Sequence, residues 1–217
     1  MSEAIVQLII NGIIETLEMT IVSTLLAYVV GLPYGILIKI TGKGEIFEHT
    51  LLHKILAASA NILRSVPFLI LLVFLIPFTR LIVGTSLGTE ATIVPLTIGT
   101  IPIVARMVEQ SLNEVPAGIT EAAKSMGAGT FEIVVHFLLP EAGPSLLSGA
   151  AINSATVLGY SAMAGCIGGG GLGAIALNYG YYRYQTDILL VTIVILIVIV
   201  QIFQESGTLI SKKMKKS

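Results

Sequence analysis

From Met19 to Ile38 the chain carries no charged side chain over 20 residues, and that run constrains the fold more than any other feature. A helix needs about 20 mainly apolar residues to cross a bilayer, where every backbone N–H and C=O must be satisfied within the segment. Comparable runs recur. Ile55 to Thr79 is interrupted by Arg64 alone, Ala91 to Ala105 ends at Arg106, and Ile188 to Gln204 is dense in Ile and Val. Between Glu141 and Arg183 lie 41 uncharged residues, Ala142 to Tyr182. That is too long for one span and too rich in glycine for two. It reads as a fourth span over Pro144 to Cys166, followed by a loop or re-entrant segment over Gly168 to Thr186. Only 12% of the residues are charged, against roughly 25% in soluble domains. The predicted fold is all-α: a polytopic membrane protein with five spans, residues 1–217 forming one transmembrane domain. Ala4 to Thr16 is either an interfacial helix or an extension of the first span.

Sidedness follows from Lys and Arg. Lys39, Lys43, Lys54, Arg106, Lys124, Lys212, Lys213, Lys215 and Lys216 fall on one side if the loops alternate, and Arg80 and Arg183 on the other. Basic loops stay in the cytosol. This predicts an external N-terminus and a cytosolic C-terminus. The segment between spans three and four is then cytosolic.

That segment is patterned. Ile119, Ala122, Ala123 and Met126 repeat at i, i+3, i+4 and i+7, one face of a helix. Gly127-Ala128-Gly129 interrupts, and Thr130 is placed to cap a second helix with Glu132 in its first turn. Phe131, Val134, Val135 and Leu138 repeat the spacing, and Pro140 is expected to end the helix and turn the chain. The prediction is a helical hairpin over residues 116–140.

Few residues offer chemistry. Arg64 is costly in a span; it reads as a snorkelling residue near the cytosolic end of span two, the alternative being a site or an internal ion pair. No Asp or Glu falls in the middle of a predicted span, which argues against a proton relay. His49, His53 and His136 form no metal pattern and read as surface residues. Cys166 reads as a small buried residue. Gly168, Gly170 and Gly173 spell GxGxxG, but the run follows a membrane span, not a strand, so it signals close packing or a tight re-entrant turn and not a dinucleotide. No GxxxxGK[ST] occurs, and no basic patch suggests nucleic acid. In span four, Asn153, Ser154, Thr156, Tyr160, Ser161 and Met163 must face either a helix interface or a water-filled path.

Glu121-Ala122-Ala123, three residues, Gly127, nine residues, Phe137, one residue and Leu139-Pro140 resemble the motif EAA-x3-G-x9-I-x-L-P of ABC importer permeases, with Phe137 where Ile is usual. Asn61 to Leu72 (NILRSVPFLILL) and Gly168 to Asp187 (GGGGLGAIALNYGYYRYQTD) are similar to methionine importer permeases in particular, so the resemblance covers essentially the whole chain. It implies a non-catalytic permease subunit for methionine, working as a homodimer with two ATPase subunits and an external methionine-binding protein. ATP and Mg would be bound by the ATPase partner, and this chain would hold no cofactor. The hairpin would be the coupling element, with Ile119, Glu121, Ala122, Ala123, Met126, Gly127, Leu139 and Pro140 as its residues. Met163 would by position close the path, beside Tyr160, Ser161 and Asn153. The alternatives are a permease for another amino acid or small polar solute, an ATPase-independent carrier, and a scaffold whose hairpin lies on the lipid surface.

Overall fold

The computed structural model describes residues 3–215, and among these residues all regular structure is helical. Lys216, counted above in the basic tail, lies outside them. The first helix, α1 (Glu3–Ile40), is 38 residues long. At 1.5 Å per residue it reaches about 57 Å, nearly twice a bilayer's hydrocarbon thickness of about 30 Å. Residues 4–16 are thus an extension of the first span and not a separate element. α1 packs lengthwise on α5 (Thr89–Asn113). Gly31 and Gly35 make this approach possible: a Cβ on Gly31 would lie 2.7 Å from the Val104 side chain, and one on Gly35 2.6 Å from that of Val108. Small residues at such a seam let two backbones close together, which is what drives packing where lipid offers no hydrophobic force.

The expected second span is not one straight helix. α2 (Thr50–Ser65) and α3 (Phe68–Phe74) meet at a 97° bend, and α4 (Ile76–Val83) follows. The cause is local. Pro67 has no N–H to continue α2, and its ring drives the residue before it out of the helical region; Val66 is extended, with φ −78° and ψ 124°.

After α6 (Ala117–Ser125) the chain forms α7 (Thr130–Ile167), in which a π-helical turn spans Ile133–Leu138. Here Pro140 does not end the helix as its chemistry suggests. The wider π turn shifts the hydrogen-bond register just before Pro140, and Leu139 N–H donates to Val134 O, five residues back. A register of this kind leaves room for a residue that cannot donate to the carbonyl four positions behind it. The second arm of the hairpin therefore runs unbroken into the fourth span.

The glycine-rich run folds back as a short helix, α8 (Gly171–Ile175), prolonged by a π turn over Ala176–Tyr181. Gly170 and Gly171 take φ of +82° and +71°, a region L-residues avoid. Gly171 N–H donates to Glu15 Oε2 at 2.6 Å and Leu172 N–H to Thr16 Oγ1 at 2.9 Å, tying α8 to α1. Gly165 and Gly173 sit directly against the backbone of Ala174 and Ala162. This is the close packing the sequence suggested. Cys166, in contrast, is exposed and not buried, because the turn after Ala164 points it away from that contact. The last helix, α9 (Thr186–Lys215), lies along α7 and is pinned near its end by Ser211 Oγ donating to Pro144 O at 2.8 Å. Among the described residues, four helices are long and apolar enough to cross a membrane, and five spans result when the bent α2–α3 pair counts as one.

Candidate functional site

The hairpin sits at one end of the bundle. It shares a cleft with Lys39 in the last turn of α1 and Gly44 and Glu45 after it, and a second with Met214 at the end of α9. Three of the segments grouped above by their basic residues thus converge in space.

Its bend is built by backbone chemistry. Ala128 N–H donates to Ala123 O at 3.1 Å and Gly127 N–H to Lys124 O at 3.0 Å, with Gly127 at φ +80°. This is a Schellman ending, which satisfies the last carbonyls of α6 and needs a left-handed residue at the Gly127 position. The second arm begins one residue earlier than expected. Gly129, not Thr130, is the N-cap, and Glu132 Oε2 accepts from Gly129 N–H at 2.8 Å.

The structure divides the expected coupling residues between two faces. Ala123 is fully buried and packs with Val108, Leu112, Ile133, Val134 and Leu138. Ile119 and Leu139 are half-buried. Glu121, Ala122, Met126, Gly127 and Pro140 are exposed. Met126 is 69% exposed, and Phe131, which sequence reasoning placed on an apolar face without assigning it a role, is 77% exposed. A Met and a Phe standing open at the tip of a hairpin leave an apolar surface with no cover among the described residues. One helical stripe therefore does two jobs: Ala123 fixes α6 to the bundle, while its neighbour Ala122 faces outward with Glu121 and Met126.

The expected path residues also separate. Asn153 is buried, and its Nδ2 donates to Tyr28 OH at 3.3 Å; Ser161 is buried, with its Oγ donating to Leu158 O at 2.8 Å. Tyr160 is half-buried and stacks on Phe68 with ring centroids 4.3 Å apart, so it braces α7 against α3. Met163 is half-exposed and lies on an open face of α7 with Ile152, Gly159 and Cys166.

Two features were missed. α5 presents Arg106, Glu109, Gln110 and Asn113 at i, i+3, i+4 and i+7, a spacing visible in the sequence, and they line a pocket with Arg64 from the end of α2. The histidines do local work: His49 Nδ1 accepts from Leu52 N–H to cap α2, and half-buried His53 is bonded to Ile38 O at 2.9 Å. No group of three His, Cys, Asp or Glu able to hold a metal occurs among the described residues.

The family model described as binding-protein-dependent transport system inner membrane component matches residues 31–216. The chain is 47% identical over 207 residues to a probable D-methionine transport system permease protein MetI of Pasteurella multocida, covering 95% of each. It is 53% identical over 165 residues, 76% of each chain, to the D-methionine transport system permease protein MetI of Salmonella typhimurium. Among solved structures, the MetNI methionine ABC transporter in an inward-facing conformation aligns with a TM-score of 0.97 at 47% identity, over 99% of each chain. An amino acid ABC transporter solved with histidines aligns with a TM-score of 0.78 at 20% identity, over 96% of this chain and 94% of that one, a likeness of fold.

Proposed function

We propose a function from one premise, that the chain belongs to the family of binding-protein-dependent transport system inner membrane components. The chain is the transmembrane permease of an ATP-driven importer that takes up methionine. The observation that carries this reading is the hairpin: a rigid bend at Gly127, one face locked into the bundle by Ala123, and the other face open at Glu121, Ala122, Met126 and Phe131. An open apolar face at a helix tip suits docking by a partner protein, and small Ala122 lets that partner approach closely.

The partner is an ATPase subunit that binds ATP and Mg. This chain, having no phosphate-binding loop, contributes no catalysis. The working unit is a homodimer with two such subunits and an external methionine-binding protein, in the bacterial inner membrane. The positive-inside rule sets the C-terminus and hairpin in the cytosol and the N-terminus outside.

Movement passes from ATPase to path because the second arm and the fourth span are one helix. A push on α6 is carried through Ala123 to Ile133 and Leu138, and along α7 to Met163. Leu139 and Pro140 lie inside that lever and are not a hinge at its end. Methionine as the solute follows from the relatives, which are D-methionine transport system permeases.

The test is reconstitution of the chain with its ATPase and binding protein in vesicles, followed by uptake of radiolabelled D- and L-methionine with competing amino acids. ATP-dependent methionine accumulation is the expected result. Uptake of another amino acid in preference to both enantiomers would leave the permease reading and remove the substrate.

A further inference from the structure

Among the described residues, Thr24 Oγ1 is the one fully buried side-chain polar atom without a hydrogen-bond partner. Thr24 is 8% exposed and lies past the middle of α1. Other buried threonines solve this problem locally. Thr16, Thr20, Thr92, Thr100 and Thr192 each donate to the carbonyl four residues behind. The Thr24 hydroxyl does not turn back to Thr20 O. A buried hydroxyl left open is rare and costs stability, so it points to a second arrangement in which it is paired.

We infer that the seam between α1 and α7 has two hydrogen-bonded registers, with Asn153 on Tyr28 in the one seen here and on Thr24 in the other. Asn153 is then a positioning residue of the lever and not a group that touches the solute. This rests on the reading of α7 as the arm that an ATPase moves.

The latch seen here is built to let go. Tyr28 OH accepts from Asn153 Nδ2 at 3.3 Å, just beyond the usual 2.7–3.2 Å for such a bond. Asn153 is 4% exposed, so on leaving Tyr28 it needs another buried partner. Thr24 is four residues before Tyr28, on the same face of α1. A long side chain on a helix leans over the turn before its own Cα, which brings the Tyr28 hydroxyl towards the level of Thr24. The exchange therefore takes a shift smaller than the roughly 5.4 Å of one helical turn.

The direction also fits. α1 and α7 run antiparallel: Asn153 meets Tyr28, while Val157 and Ala164 pack with Met19. The hairpin stands at the start of α7, so a push there carries Asn153 towards lower numbers on α1, from Tyr28 to Thr24. The register seen here goes with the inward-facing state, the conformation of the transporter with which the chain aligns at a TM-score of 0.97. The Thr24 register then belongs to the nucleotide-bound state.

The experiment uses the permease–ATPase complex with its binding protein in nanodiscs, either nucleotide-free or held with a non-hydrolysable ATP analogue and Mg, and reads the thermal midpoint of the permease in each state. Thr24→Val keeps the shape and removes the hydroxyl. It should leave the nucleotide-free midpoint unchanged or raised, because an unpaired group is lost, and should lower the nucleotide-bound one. Tyr28→Phe should do the reverse. In vesicles, Thr24→Val should lower ATP-driven methionine uptake roughly fivefold, the share that one hydrogen bond carries, and Thr24→Ser should restore it. A purely structural role moves both midpoints together. The proposal is overturned if Thr24→Val shifts the two states alike, if uptake is indifferent to the hydroxyl, or if Tyr28→Phe spares the nucleotide-free state. Failure of Thr24→Val to assemble overturns it too, since a hydroxyl needed to hold the fold would have its partner here. Wild-type uptake is read first: its absence removes the importer reading, whereas uptake that ignores Thr24 removes only the second register.

Discussion

Ala122 and Ala123 are adjacent in the motif and opposite in environment, which makes them a sharp pair to perturb. Ala123 has no exposed surface and touches a cluster that includes Val108, Leu112, Ile133 and Leu138. Ala123→Leu adds three carbon atoms where none fit, and overpacking of this kind costs about 1–3 kcal/mol. For a chain of this size 1 kcal/mol moves a thermal midpoint by about 2–4 °C, so a drop of roughly 5 °C is expected for the isolated permease in detergent. Ala122→Leu adds the same atoms to an exposed position, where changes stay within about 0.5 kcal/mol. Its thermal midpoint should be that of wild type. The partner's close approach is blocked instead, so co-purification of the ATPase should fall while the permease remains intact. Fluorescence-detected size exclusion across a temperature series, run beside a pull-down of the ATPase, separates the two effects. The reasoning fails if Ala122→Leu destabilises the isolated chain as much as Ala123→Leu does, or if Ala122→Leu leaves ATPase association untouched.

Other outcomes follow from the same geometry. Gly127→Ala meets no atom within 4 Å but must hold a left-handed conformation, a cost of about 1–2 kcal/mol; Gly127→Asn should be milder and Gly127→Pro should uncouple hydrolysis from uptake in vesicles. Gly165→Val would drive its Cβ into the backbone of Gly173 and Ala174, which no side-chain rotation relieves, so the variant should fail to accumulate as folded protein in membranes. Glu15→Ala removes the acceptor for Gly171 N–H, a charge-assisted bond worth about 1.5–3 kcal/mol, and should speed proteolysis within residues 168–185, with Glu15→Gln retaining part of the protection.

Much of this architecture is legible in the sequence because lipid imposes one rule, an uncharged run of helical length, and the chain follows it at α1, α5, α7 and α9. The hairpin was legible because an i, i+3, i+4, i+7 stripe, a glycine and a second stripe lie in order. Three things were not legible, each for a physical reason. Pro140 is read as a stop from its missing donor, but the π turn before it moves the carbonyls into a register that does not need that donor. Pro67 lies inside the expected second span, and neither the break it makes nor its angle, which depends on how α3 settles against α5 and α7, was read from the sequence. Helical periodicity finds the face containing Ala122 and Ala123, but only packing shows that the edge of that face divides them. The same holds for span four, where Asn153 finds a partner in Tyr28 and Ser161 in Leu158 O, while Met163 remains open.

The central claim is that this chain moves methionine only when a separate ATPase pushes on its hairpin. The direct measurement is methionine accumulation in sealed vesicles holding the chain alone or with the ATPase and binding protein, each with and without ATP. Accumulation in the complete system with ATP, and in no other, is the predicted result. Accumulation by the chain alone, driven by an imposed ion gradient, would contradict the account.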